Sequence, residues 1–119
     1  TGTPTLTFGL YAGGTGGVAL ASSAAITTGS GVTNLTWRAE FDVVCRTIGT
    51  SGTLICTGRI DGVLATAGAR VPASAPAVAT VDTTAAKTLD LCATWSASSA
   101  SNTITCHQFL VFGNNANLL

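Results

Sequence analysis

Charged side chains are scarce in this chain. Only 8% of its residues are Asp, Glu, Lys or Arg, and the formal net charge is +0. Lys87 is the sole lysine and the arginines are scattered. That removes the basic field on which nucleic-acid binding depends, and the few carboxylates form no acidic tail. No apolar run approaches the roughly 20 residues of a membrane-spanning helix, although 46% of the residues are hydrophobic. Neither nucleic acid nor membrane is therefore an expected partner. Methionine is absent, even at position 1, so the sequence reads as a processed chain or the ordered part of a longer one. A surface this poor in charge is unusual for a free monomer, and mean hydropathy is +0.49. The expectation is that copies of the same chain, or a larger particle, cover much of the exterior.

Motifs of catalysis and cofactor binding are also missing. No cysteines are spaced CxxC, so zinc fingers and ribbons have little support. No GxSxG elbow frames a serine. His107 is the only histidine, and on a strand it points away from its neighbour Cys106, so the two do not share a metal. Gly14-Thr15-Gly16-Gly17-Val18-Ala19 fits GxGxxA, but neither a helix pattern nor a parallel βαβ unit follows, and a loop is the better reading. Glu40 and Asp42 share a strand face, as glycosidase carboxylates can. Arg38, Arg46 and Arg59 surround them, which favours a solvated ion-pair ladder. Trp37 and Trp95 could stack on sugars, but both fall in the apolar phase of their strands and read as core. The sequon Asn34-Leu35-Thr36 matters only in a chain secreted by a eukaryote. The expectation is no enzyme, no cofactor and no metal.

What the sequence does have is alternation. Leu35–Gly62 reads as two long strands and one tight turn. Trp37, Ala39, Phe41, Val43 and Cys45 alternate with Arg38, Glu40, Asp42, Val44 and Arg46, the period of a half-buried strand. Gly49-Thr50-Ser51-Gly52 supplies the turn, since glycine reaches positive φ without steric cost. With the turn centred on Thr50-Ser51, Cys45 faces Cys56, and Asp42 faces Arg59 as a favourable cross-strand pair.

Thr3–Tyr11 is a first strand, with Leu6, Phe8 and Leu10 on one face. Val18–Ile26 is a weaker strand, and residues 1–34 are less regular than the rest. Residues 63–78 read as a long loop holding at most a short extended piece, because Pro72 and Pro76 interrupt any helix. Ala79–Thr84 is extended and ends in a turn. Lys87–Trp95 alternates again, and Ser96–Asn102 is a polar loop. Thr103–Phe112 is the last strand. Ile104, Leu110 and Phe112 lie on one face, Phe109 and Val111 on the other. A strand apolar on both faces is buried on both faces, so these five residues are the candidate subunit contact. A length of 119 residues suits one domain. The fold class expected is all-β: an antiparallel β-sandwich, jelly-roll-like, of about eight strands.

The four cysteines fall on these strands. Cys45 opposes Cys56 in the first hairpin. Cys92 opposes Cys106 in a second, if its loop centres near Ser99. Two opposed pairs suit two cross-strand disulfides or two pairs of buried thiols, free cysteine being a small hydrophobe.

Two groups of residues stand out together. One runs from Trp37-Arg38-Ala39-Glu40-Phe41 through Gly49-Thr50-Ser51-Gly52-Thr53 to Gly58. The other is Thr80-Val81-Asp82-Thr83-Thr84, then Thr88-Leu89-Asp90-Leu91, Ala93-Thr94-Trp95-Ser96 and Ser101-Asn102-Thr103-Ile104-Thr105. In order and spacing this resembles a family of structural proteins of tailed bacteriophages. The resemblance spans Leu35–Phe112. It implies a jelly-roll-like module on the virion surface, often a homotrimer, in a head-decoration, head-fibre or tail-tip setting. The implied partners are the chain itself, the major capsid protein or another virion protein, and a host-surface receptor if the module sits on a fibre. No catalytic residues come with the family. The cysteines depart from its pattern. Assembly in the reducing cytoplasm of a bacterial host disfavours disulfides, which tilts the reading toward thiols.

The leading expectation is thus a non-enzymatic virion structural protein that decorates or stabilises a capsid, or forms a head fibre, as a homo-oligomer. Two alternatives stay open. A receptor- or carbohydrate-binding module of a tail fibre would use Tyr11 and the Ser96–Asn102 loop. A secreted adhesin domain would be stapled by its disulfides.

Overall fold

A computed structural model describes residues 3–62, 69–73 and 78–113. Its described strands are β1 (Thr5–Ala12), β2 (Val18–Ser22), β3 (Ile26–Thr27), β4 (Trp37–Thr47), β5 (Thr53–Gly62), β6 (Ala69–Ala73), β7 (Val78–Thr80) and β8 (Leu89–Trp95). All pairings are antiparallel, and they form two sheets. The protein is an all-β sandwich, as its alternation requires.

β1 is the centre of the first sheet. One of its edges pairs with β8 from Leu6 to Ala12, and the other is shared by β2 and β3. β5 is the centre of the second sheet. One edge pairs with β4 and the other is shared by β6 and β7. Residues 69–73 are thus the short extended piece anticipated within residues 63–78; the remainder of that stretch lies outside the described residues. Pro72 is tolerated there because β6 flanks the sheet, where a missing N–H is cheap.

The core sits between the sheets. Leu6, Phe8, Leu10 and Ala12 of β1 are buried, the alternate set that a pleated strand turns to one side. Leu6 and Phe8 pack with Ile26 and Ile60, while Leu10 and Ala12 pack with Leu20, Cys56 and Val81. The rings of Phe8 and Trp37 meet across the sheets at 5.1 Å and 41°, within the range of favourable aromatic pairs. Trp37 and Trp95 both pack on this core.

Three expectations need correction. The central hairpin keeps its turn, with the Gly52 N–H donating to the Gly49 carbonyl at 3.0 Å and Gly49 at φ 126. Its ladder is shifted, however. Cys45 faces Leu54, Cys56 faces Val43, and Arg59 faces Glu40 rather than Asp42. The cause is twofold: Thr47 already pairs with Thr53, which leaves Ile48 extra beside the turn, and a bulge between Cys45 and Thr47 makes Arg46 a second extra residue. An extra residue on one strand moves every pair beyond it.

The second correction concerns Thr103–Phe112. It is not a strand: residues 103–113 run without helix, turn, bend or ladder. Nor is it buried, as only Ile104 packs partly on the core. A strand is completed by a neighbour's hydrogen bonds, and among the described residues this segment has no such neighbour. The third correction follows from the second: Cys92 and Cys106 do not oppose each other, because Cys92 pairs with Gly9 and Cys106 pairs with nothing.

Candidate functional site

β2 touches β5 and β7, and this closes one side of the sandwich. On that side a corner is tied down by local chemistry. The Val81 N–H donates to the Gly52 carbonyl at 2.8 Å, and the Thr83 N–H to the Gly49 carbonyl at 3.0 Å. In return the Gly49 N–H donates to Thr83 Oγ1 at 2.9 Å. Asp82 accepts from the Thr84 N–H at 2.9 Å and its hydroxyl at 2.6 Å, a turn built by an Asp side chain. These two bonds hold the Asp82 carboxyl below its ordinary pKa, because they favour the charged form. The two halves of the resemblance, Gly49–Gly52 and Val81–Thr84, therefore meet at this corner.

The other side is open. β4 and β8 each have a ladder partner on one edge only among the described residues. Between them lies a cleft of about 2280 Å³. Trp37, Phe41 and Val43 look into it from β4, and Leu91 and Trp95 from β8. All five are only partly buried, although each touches the core. A smaller apolar hollow of about 280 Å³ lies deeper, walled by Phe8, Trp37, Leu91, Ile104 and Phe109 among others.

Residues 103–113 line this mouth. Beyond Ile104 their exposure climbs: Phe109 55%, Leu110 62%, Val111 68% and Phe112 86%. Four consecutive large apolar side chains at the surface are the most unusual feature of the molecule, since such runs usually mark an interaction site. The five residues singled out as a subunit contact are thus gathered in one place, with Ile104 rooted in the core and the other four outside it. Ile48, 87% exposed at the hairpin tip, and the mouth-facing role of Phe41 were not anticipated. The signal for the latter was present: an apolar face on an edge strand is covered on one side only.

The cysteines are four free thiols. Cys45 and Cys106 are exposed, and their thiols lie against the carbonyls of Thr47 (3.3 Å) and Gln108 (3.2 Å). Cys92 is half-buried. Cys56 is in the core, where burial foremost and then the nearby Asp42 charge push its thiol pKa up.

The carboxylates form the expected ladder, with altered partners. Glu40 bridges Arg38 and Arg59, the latter at 2.7 Å, and Arg59 Nε reaches Asp61 at 3.2 Å. Exposed pairs of this kind contribute little, about 0–1 kcal/mol each. The GxGxxA stretch is the tight connection of the β1–β2 hairpin, with the Gly17 N–H donating to the Gly14 carbonyl at 2.9 Å and Gly14 at φ 91. Tyr11 lies over Gly9, where a β-carbon would come within 2.8 Å of its Cε2. The Ser96–Asn102 loop is held by its own bonds, with Asn102 Nδ2 donating to the Ala97 carbonyl at 2.9 Å and the Thr5 N–H donating to Ser96 Oγ at 2.9 Å. His107 is exposed. Among the described residues, no three His, Cys, Asp or Glu gather as a metal site.

The geometry defines a β-sandwich closed on one side and open on the other, with an apolar segment at the opening. Comparison with protein-family models, curated proteins and solved structures finds no match to this chain.

Proposed function

We propose that this chain is a non-enzymatic structural module of a tailed-bacteriophage virion. In this reading it is a jelly-roll-like sandwich that self-associates on the particle surface, as a capsid decoration or a head fibre. One observation carries the reading: the exposed apolar run Phe109–Phe112 at an open mouth, on a chain with 8% charge. Burying one large apolar side chain contributes about 1.5–3 kcal/mol. Four of them supply on the order of 10 kcal/mol, comparable with the roughly 4–15 kcal/mol that association costs in lost freedom. A symmetric oligomer repeats the contact in every copy and so exceeds that cost. The phage setting rests on the resemblance of Leu35–Phe112, and so does the expected trimer.

Native mass measurement at micromolar concentration tests the first half. A homo-oligomer, expected to be a trimer, supports the reading, and a stable monomer overturns it. Co-sedimentation with phage capsids lacking their decoration protein tests the second half. Pelleting with the capsids supports virion attachment, and absence from the pellet removes it.

A further inference from the structure

Residues 103–113 carry a second, more specific message. The segment makes no backbone hydrogen bond to another part of the chain among the described residues. It is nevertheless built like an inner strand, apolar on both faces. Laid in its own mouth, it would bury one face and leave the other in water. Full coverage therefore takes two bodies, one on each face. The rising exposure from Ile104 to Phe112 points the same way, because the chain leaves its own body as it proceeds.

The acceptor is present on the same molecule. β4 has eleven residues and an edge without a ladder partner among the described residues, and the segment is as long. Across the cleft β8 has a second edge that no described residue pairs with. Natural sheets protect such edges with charges, prolines or covering elements. β4 carries Arg38, Glu40, Asp42 and Arg46, but the β8 side and the segment itself have no such protection: from Leu91 onward the sequence contains no Asp, Glu, Lys, Arg or Pro.

We propose that residues 103–113 form a donor strand that adds along the open β4–β8 mouth of a second copy, which gives its own segment to a neighbour in return. The occupant of the mouth is this chain's own segment in trans, by β-strand addition. The main-chain bonds it lacks at home are made on the acceptor's edge. One apolar face then meets the acceptor's Trp37, Phe41 and Leu91, and the other faces the donor's body. This deepens the self-association reading and rests on it.

The cysteines give a direct test, because Cys106 marks the donor and Cys45 and Cys92 mark the two acceptor edges. Two forms of the full chain are prepared. One is Cys45→Ser/Cys92→Ser, which keeps Cys106; the other is Cys106→Ser, which keeps both acceptor thiols. They are unfolded, mixed, refolded, and treated with a bis-maleimide. The expected result is a covalent dimer between the two forms, well above the level that either form gives alone. Removing Cys45 or Cys92 from the acceptor form then shows which edge receives the strand. Phe112→Asp on the donor form is expected to reduce the product to background, and Phe112 is exposed enough for the sandwich to fold without it. A native mass that shows oligomers, with no excess of mixed product, overturns strand exchange and leaves self-association standing. A native mass that shows only monomer overturns both.

Discussion

The closed and open sides of this sandwich are made from the same kind of sequence. β1 and β5 alternate apolar and polar residues, and so do β4 and β8. On the central strands β1 and β5, partnered along both edges, the pattern yields Phe8, Leu6, Ile60 and Cys56, the largest fully buried side chains. On the open side the equivalent residues, Trp37, Phe41, Leu91 and Trp95, are only partly covered. Alternation therefore determines which way a side chain points. Whether it is buried depends on what lies across from it, and on the open side the described residues cover it only in part.

Substitutions separate the two sides. Phe8→Ala removes the most buried side chain, and the expected cost is about 3–5 kcal/mol, read as a lower midpoint in denaturant unfolding. Phe112→Ala, on the open side, is expected to leave that midpoint nearly unchanged in dilute solution while lowering the oligomer's native mass. Equal losses from both would erase the distinction. Thr83→Ala unties the corner on the closed side. Its hydroxyl accepts from the Gly49 N–H and donates to the Gly49 carbonyl, so a loss of about 1–2 kcal/mol is expected, whereas Thr83→Ser retains most of the stability. Arg59→Ala in the exposed ladder should cost less than 1 kcal/mol, or about that, and the loss should vanish in high salt.

The smallest effect concerns acid. The Asp82 carboxyl is held below its ordinary value of 3.8 by its bonds to Thr84. A depressed pKa gives stability that is complete above the unfolded value and is lost as pH falls through the folded one. Wild type should therefore lose a little stability below about pH 4, and Asp82→Asn should lack that part of the acid slope. An identical slope in both proteins would remove Asp82 from the corner's chemistry.

Much of the fold was legible in the sequence because its signals are local. The period of two in Thr3–Tyr11 and Lys87–Trp95 needs no knowledge of partners, and Gly49 and Gly52 announce their turn. The register of the hairpin was not legible. An extra residue in a ladder can be nearly any residue, and nothing about Ile48 or Arg46 marks them as the two extra ones. Thr103–Phe112 fails for the complementary reason. Its residues state that both faces must be covered, and sequence alone does not say by what. The exposed run Phe109–Phe112 at the mouth could still be picked out, because an apolar run without charge is visible before any fold is known. The corner joining Gly49 to Thr83 was legible only as two separate turns, since their meeting depends on where β7 docks.

One pairing also sets the pace at which this protein can form. β1 occupies the middle of its sheet, yet the strand along its whole free edge is β8, which begins only at Leu89. As the chain is synthesised, Leu6, Phe8 and Leu10 emerge early and wait for Trp95 before the sheet is complete. Closing a loop of that length costs on the order of 4 kcal/mol of chain entropy before any contact rewards it. Folding should accordingly be slow, in the millisecond-to-second range typical of non-local β topologies, and the nascent chain carries an unsatisfied apolar strand until Leu89–Trp95 has emerged.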